Sequence, residues 1–152
     1  MHGISGERAM ANDINITVSD RGGRKCASSG SKWEPKMGYS RAVRCGNYIA
    51  VTGTVGINAD GSYADSMEAQ TRRSLQIIHA AIEALGGRLE HVIRTRIYVT
   101  DATKWEQVAH VHGEMFRDCR PATTLVEVAR LVDDEAQIEI EADVLIPDNR
   151  PG

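Results

Sequence analysis

From residue 121 to residue 146 the chain reads PATTLVEVARLVDDEAQIEIEADVLI, two alternating segments, Thr124–Ala129 and Gln137–Ile146, separated by a short acidic break. Strict alternation specifies strands with two unlike faces, because successive side chains of a strand point to opposite sides. In the second segment Ile138, Ile140, Ala142, Val144 and Ile146 share one side, and Gln137, Glu139, Glu141 and Asp143 share the other. The apolar row needs a covering layer. The acidic row is either wetted surface or the wall of a polar cleft.

The covering layer can be read further back. Asp65 to Leu85 predicts a helix, capped by Asp65 with Glu68 three residues on. Leu75, Ile78, Ile82 and Leu85 form its apolar stripe, Gln70, Arg72, Arg73 and Glu83 its outer face, and Gly86-Gly87 its end. A strand at His91–Thr100 follows, with Ile93, Thr95, Ile97 and Val99 on one side and Val92, Arg94, Arg96 and Tyr98 on the other. A second helix starts at Thr103, with Glu106 completing a capping box and Trp105, Val108, His112 and Phe116 facing inward, and it stops before Pro121. Upstream, Arg41–Cys45 and Tyr48–Thr52 flank a Gly46-Asn47 turn and predict a hairpin. Arg24–Ser29 reads as a short first strand, and Ser28 to Pro35 as a loop.

Hairpin, helix, strand, helix, strand, strand is an α+β plan with two helices on one face of the sheet. The other face would carry Arg94, Arg96 and Tyr98, then Thr123, Leu125 and Glu127, and Glu139, Glu141 and Asp143, together with the apolar Val92, Leu145 and Val43. Arginines facing carboxylates are unsuited to a dry core without close pairing, yet this face is too apolar for open surface. Subunit assembly reconciles the two. Residues 1–22, Gly-, Asp- and Arg-rich with only Ile14, Ile16 and Val18 as an apolar trace, read as a tail or at best an edge strand. Residues 23–147 form one domain and 148–152 a C-terminal tail.

Composition excludes several function classes. A balance of 18 basic against 21 acidic residues, net −3, sets up no field for nucleic acid or membrane. No apolar run approaches the ~20 residues of a membrane span, and no secretory leader is expected from the N-terminal residues. Three widely spaced cysteines, Cys26, Cys45 and Cys119, argue against a disulfide framework and fit a reducing, cytoplasmic setting. Cys45 and Cys119 read as buried small residues. His110 and His112 point in different directions on a helix, and His79 stands by itself, so neither a metal site nor a cofactor is expected. Gly53-Thr-Val-Gly56 has neither the P-loop lysine nor the dinucleotide glycine pattern.

Tyr39-Ser40-Arg41-Ala42, the hairpin exit Thr52-Gly53, Arg94-Thr95-Arg96-Ile97-Tyr98-Val99, Val126-Glu127-Val128-Ala129-Arg130-Leu131 and Ile138-Glu139-Ile140-Glu141-Ala142 resemble, in that order, the RidA/YjgF family, also labelled L-PSP endoribonucleases. The resemblance implies a chorismate-mutase-like fold, a homotrimer with sheets packed inward, and small-molecule clefts between subunits. In the family's imine-hydrolysing members the carboxylate that handles water matches Glu139, the cleft tyrosine matches Tyr39, and the cleft glycine matches Gly53. The arginine that clamps the substrate carboxylate falls on Thr123, a cleft asparagine on Ala109 and a cleft cysteine on Leu125. The scaffold and the acid/base group are therefore present, while the bidentate anion clamp is gone, and Thr123 offers only a neutral hydrogen bond in its place.

Glu139 thus reads as an acid/base group or as one half of an interfacial salt bridge with Arg94 or Arg96. Arg96, on the same polar face, either supplies the missing cation for an anionic ligand or neutralises Glu127 or Glu141. Tyr39 lines a pocket or caps the hairpin base, and Thr123 and Thr124 are cleft donors or plain strand residues. Three functions follow: hydrolysis of an imine or enamine of a small nitrogenous metabolite with Glu139 activating water, non-catalytic ligand sensing or chaperone-like binding in the same cleft, and RNA cleavage. The net negative charge and the scarcity of aromatics argue against the last.

Overall fold

Alternation along the chain becomes a seven-stranded sheet in the computed structural model, which describes residues 13–148. The strands are β1 (Thr17–Arg21), β2 (Arg24–Ser28), β3 (Ala42–Cys45), β4 (Tyr48–Val55), β5 (Val92–Val99), β6 (Ala122–Glu127) and β7 (Ile138–Leu145). The helices are α1 (Trp33–Met37), α2 (Met67–Ala84) and α3 (Trp105–Phe116). Sheet order is β1-β2-β3-β4-β7-β5-β6. All neighbours run antiparallel except β5 and β6, which are parallel and joined through α3.

The sheet is mixed and its two long helices lie on one face, as expected. Ile138, Ile140 and Val144 of β7 are fully buried with Leu75, Ile78 and Ile82 of α2 and Val108 and Val111 of α3. Side chains of this size contribute about 1.5–3 kcal/mol each when fully buried, so this layer is what holds the helices to the sheet. The Gly46-Asn47 hairpin forms, with Gly46 at φ 57°. Such a positive φ is easy for glycine because it lacks a Cβ.

Several local expectations are corrected. Of the two readings of residues 1–22, the described part takes the edge strand and not the tail: β1 pairs with β2 at the sheet edge, and Asp13 lies 2.7 Å from Arg73. Residues 1–12 of that tail, and 149–152 of the C-terminal one, lie outside the described residues. The loop through Pro35 contains the single helical turn α1. There Pro35 is the third residue and lacks only an N–H that a first turn leaves unpaired anyway. Ser66, not Asp65, caps α2, its Oγ accepting from Ala69 N at 3.1 Å. A 3-10 turn at Ala102–Lys104, capped by Asp101, precedes α3.

Gln70 and Arg73 are buried, not on an outer face of α2. Gln70 accepts from Gln137 N at 2.8 Å and donates to the carbonyls of Ala64 and Glu135. Arg73 donates to Ile57 O at 3.0 Å. Each has polar partners that make its burial tolerable. Val92 and Ile93 exchange the places assigned to them, because the β5–β7 register slips between Val92 and Arg94. Such an irregularity reverses which residues face the core, so Val92 is buried and Ile93 half exposed. Trp105 stands outside the helix stripe, and Cys45 is exposed at a strand end. No helix among the described residues is long and apolar enough to cross a membrane.

Candidate functional site

Across β4 and β7 the pairing runs Val51↔Ala142 and then Thr54↔Ile140, with an irregularity between. The extra residue lifts Thr52 and Gly53 out of the ladder and opens a hollow beside Glu139. A cavity of about 330 Å³ lies there, walled by Ser29, Ser31 and Trp33 on one side, Tyr39 and Arg41 on another, and Val132 and Asp133 opposite. Gly53, Thr54 and Glu139 complete it. A second hollow of about 570 Å³ adjoins it along Ser29–Trp33 and Asp133 and continues towards Asp13, Asp134 and Glu135.

The glycine has a direct role. A Cβ on Gly53 would come within 2.5 Å of Glu139 Oε1 and 3.0 Å of its Cδ. The Glu139 carboxylate can lie across β4 only because position 53 has no side chain. Partial burial then raises the Glu139 pKa above the usual carboxylate range, with the Arg41 charge pulling it back and Glu141 adding to the rise. Among the described residues no hydrogen bond or ion pair reaches this carboxylate. A half-buried carboxyl with a raised pKa, facing a cavity, is suited to take and return a proton.

Of the residues singled out from the sequence, Tyr39, Gly53 and Glu139 come together at this cavity. Arg96, Thr123 and Thr124 do not line it. Arg96 lies on the open face of the sheet, its Nη1 3.2 Å from Asp143 and 3.5 Å from Glu141. Tyr98 donates to Glu141 at 2.9 Å and Tyr48 to Asp143 at 2.9 Å. The polar face is therefore a ladder of paired charges and phenols.

Thr123, Leu125 and Glu127 point to the helix side, contrary to the alternation placed on them. The parallel register sets Thr95 beside Thr123 and Arg96 beside Thr124, so Thr124, not Thr123, shares the face of Arg96. Thr123 Oγ1 lies 2.8 Å from Thr95 Oγ1, which lies 2.9 Å from His112 Nε2. Thr123 donates to Pro121 O at 3.2 Å, so it accepts from Thr95, which in turn accepts from His112. Burial lowers the His112 pKa, in keeping with a neutral ring donating through Nε2. Leu125 packs on the core, and Glu127 accepts from Ala102 N at 3.0 Å.

Sequence reasoning did not single out Arg41. It is 6% exposed, and among the residues lining the Glu139 cavity it is the one cation. A lone arginine at the start of a strand gives no sign of burial. Its acidic neighbour Glu34, whose Oε2 is 3.7 Å from Nη2, sits across a loop. Among the described residues no group of three or more His, Cys, Asp or Glu side chains could hold a metal ion.

With that geometry in place, comparison with known proteins is specific. The family described as Endoribonuclease L-PSP matches residues 30–146. A Mycobacterium tuberculosis structure described as a member of the highly conserved YjgF/YER057c/UK114 family is 43% identical. It superposes with a TM-score of 0.75 over 81% of this chain and 99% of the other. An uncharacterized protein of Streptomyces coelicolor is 34% identical over 117 residues, 76% of this chain and 87% of that one. A 2-iminobutanoate/2-iminopropanoate deaminase of Salmonella typhimurium is 32% identical over 108 residues, 68% and 84% of the two chains. The match spans the hairpin that carries Tyr39 and Gly53 and the strand that carries Glu139, and the chain belongs to the RidA/YjgF, or L-PSP endoribonuclease, family.

Proposed function

We propose that this protein hydrolyses an imine or enamine of a small nitrogen-containing metabolite, with Glu139 as the group that handles water. The observation that carries the reading is the Glu139 carboxylate itself, half-buried, unpaired among the described residues, raised in pKa and facing a cavity of about 330 Å³. As a carboxylate it takes a proton from water as the oxygen adds to the C=N carbon. As the resulting acid it returns that proton to the nitrogen, giving a carbinolamine, and it then carries the hydroxyl proton to the same nitrogen as the C–N bond breaks, the C=O bond forms and ammonia leaves. The relationship to the Salmonella deaminase supports this class of reaction.

The same reading places the protein as a homotrimer in a reducing, cytoplasmic compartment. Support for assembly comes from the open sheet face, where Tyr48, Val126 and Leu145 are each more than 40% exposed beside the paired charges. A face mixing apolar side chains with fixed ion pairs suits a second copy of the same chain, and clefts completed between copies would then bound the ligand. Support for the compartment is the three free cysteines.

Thr123 supports a second reading, in which the cleft binds a ligand without turning it over. Its hydroxyl is held by Thr95 and Pro121 away from the Glu139 cavity, and the cation that lines the cavity, Arg41, has its donors engaged within the protein. Ammonia release from 2-imino acids and neutral enamines generated in situ separates the two. The expected result is turnover by wild type on at least one of these substrates and its loss in Glu139→Ala. A wild type inert on the whole panel, with activity appearing in Thr123→Arg, would make the protein a binder, and turnover surviving Glu139→Ala would remove Glu139 from the chemistry.

A further inference from the structure

Arg41 joins three walls of the Glu139 cavity through one guanidinium. Its Nε donates to Ser29 Oγ at 3.2 Å, and its Nη1 to the Gly53 carbonyl at 3.0 Å and to Thr54 Oγ1 at 3.2 Å. Its Nη2 reaches Tyr39 Oη at 3.4 Å, and the guanidinium carbon lies 5.6 Å from the centre of that ring. Behind it Glu34 is 6% exposed, its Oε2 accepting from Ser29 N at 3.2 Å, Ser29 Oγ at 2.8 Å and Ser31 N at 3.2 Å. The planar, forked donor set of arginine can serve several acceptors in fixed directions at once, which a lysine ammonium cannot. With those donors engaged in the protein, Arg41 is built to hold the cleft rather than to grip a ligand.

We propose that Arg41 is the positioning residue of this cleft: it fixes the Tyr39 hydroxyl and the Gly53 carbonyl around Glu139, and its charge lets that half-buried carboxyl ionise. Glu34 has the opposite electrical effect, because it partly cancels the Arg41 charge. The other groups near Glu139 are Glu141 two positions along β7, Tyr98 opposite it on β5, Tyr39 and Asp133 in the cavity wall, and Tyr63, which donates to Asp133 and borders the adjoining hollow. From β4 and α2, Thr52, Gly53, Thr54, Val55 and Ile77 border the cavity, none of them charged, so Arg41 is the positive charge among the groups named. The proposal uses the Glu139 assignment made above, but its main test needs no substrate.

That test is a carboxyl titration by NMR of the full chain labelled with ¹³C at the glutamate side-chain carboxyl. The Glu139 signal is identified by its absence in Glu139→Gln. In Arg41→Gln the Glu139 midpoint is expected to rise by about 1 pH unit or more, the size of a nearby-charge effect. In Glu34→Gln it is expected to fall. Opposite signs distinguish electrostatics from loosening, since a cleft that merely opened to water would bring the midpoint down towards the ordinary value in both variants. An unmoved or lowered midpoint in folded Arg41→Gln overturns the proposal. If that variant does not fold, Glu34→Gln decides, and an unmoved or raised midpoint there overturns it.

Arg41→Lys completes the test. It keeps the charge and loses the fork, so the midpoint should stay near wild type while any turnover falls at least tenfold. Full turnover in Arg41→Lys would deny it the positioning role. Ammonia release that depends on Glu139, together with an unmoved midpoint in Arg41→Gln, would leave the imine reading standing and sink this one. Opposite shifts in the two charge variants, together with an inert wild type, would do the reverse.

Discussion

Glu139 and its two neighbours on the polar side of β7, Glu141 and Asp143, stand at alternate positions of one strand and have opposite fates. Glu141 and Asp143 are met across the sheet by Arg96, Arg94, Tyr98 and Tyr48 at 2.9–3.8 Å. Glu139 is opposite Tyr98 on β5, but that hydroxyl turns to Glu141, and beside it on β4 are Val55 and the Gly53 irregularity. Alternation decides which face a carboxylate occupies. The residues on the adjoining strands decide whether it is paired or left facing a cavity.

The largest expected effect tests that contrast directly. If the imine reading holds, Glu139→Gln should lower turnover about 10²–10⁴-fold, the usual contribution of a positioned acid/base group. Glu141→Gln and Asp143→Asn, read in the same ammonia assay, should stay near wild type. Equal losses in all three would erase the distinction.

Two glycines sharpen the comparison through stability. A Cβ on Gly56 would collide with the Gln70 main chain, which cannot give way without moving α2. Gly56→Ala should therefore cost about 1–3 kcal/mol or more in denaturant unfolding, the range of overpacked cores. A Cβ on Gly53 meets only the end of the Glu139 side chain, which can swing aside. Gly53→Ala should cost under about 1 kcal/mol yet displace the carboxylate and lose turnover. A severe unfolding defect in Gly53→Ala would show that the glycine serves the strand, not the site.

A smaller effect is expected from pH. Burial lifts the Glu139 pKa above the ordinary value of about 4.3, so between the two values the folded chain binds a proton that the unfolded chain does not. Stability linked to this group is then present at low pH and lost as pH rises from the unfolded value through the folded one. Glu139→Gln should accordingly raise Tm at pH 7 and change it less near pH 4. A Tm gain that is constant with pH would refute the raised pKa. Smallest of all, Arg96→Ala removes two partly exposed ion pairs and should cost about 0.2–1 kcal/mol, less at high salt. A larger, salt-independent loss in the isolated chain would mean that the ladder is structural in a way the Glu139 end is not.

Much of this is legible in the amino-acid sequence. The α2 stripe of Leu75, Ile78, Ile82 and Leu85, the Gly46-Asn47 hairpin and the two-faced β7 follow from periodicity, because one element meets its neighbours with a fixed angular repeat. The family motifs pointed to Tyr39, Gly53 and Glu139. What could not be read were places where one element interrupts another's repeat. The register slip in β5 exchanged Val92 and Ile93, and parallel pairing with Thr95 turned Thr123 towards His112 and away from Arg96.

Nor does a sequence show which charged residues will be buried, because burial depends on partners far along the chain. Gln70 finds Gln137, and Arg41 finds Gly53 and Thr54. The chain's own residues thus determined the α+β class, the acidic row and a threonine at position 123. Only the tertiary structure decided that one carboxylate of that row is unpaired among the described residues and lies beside a cavity with a buried arginine. Pairing and exclusion of water are set between strands, where no single segment carries the information.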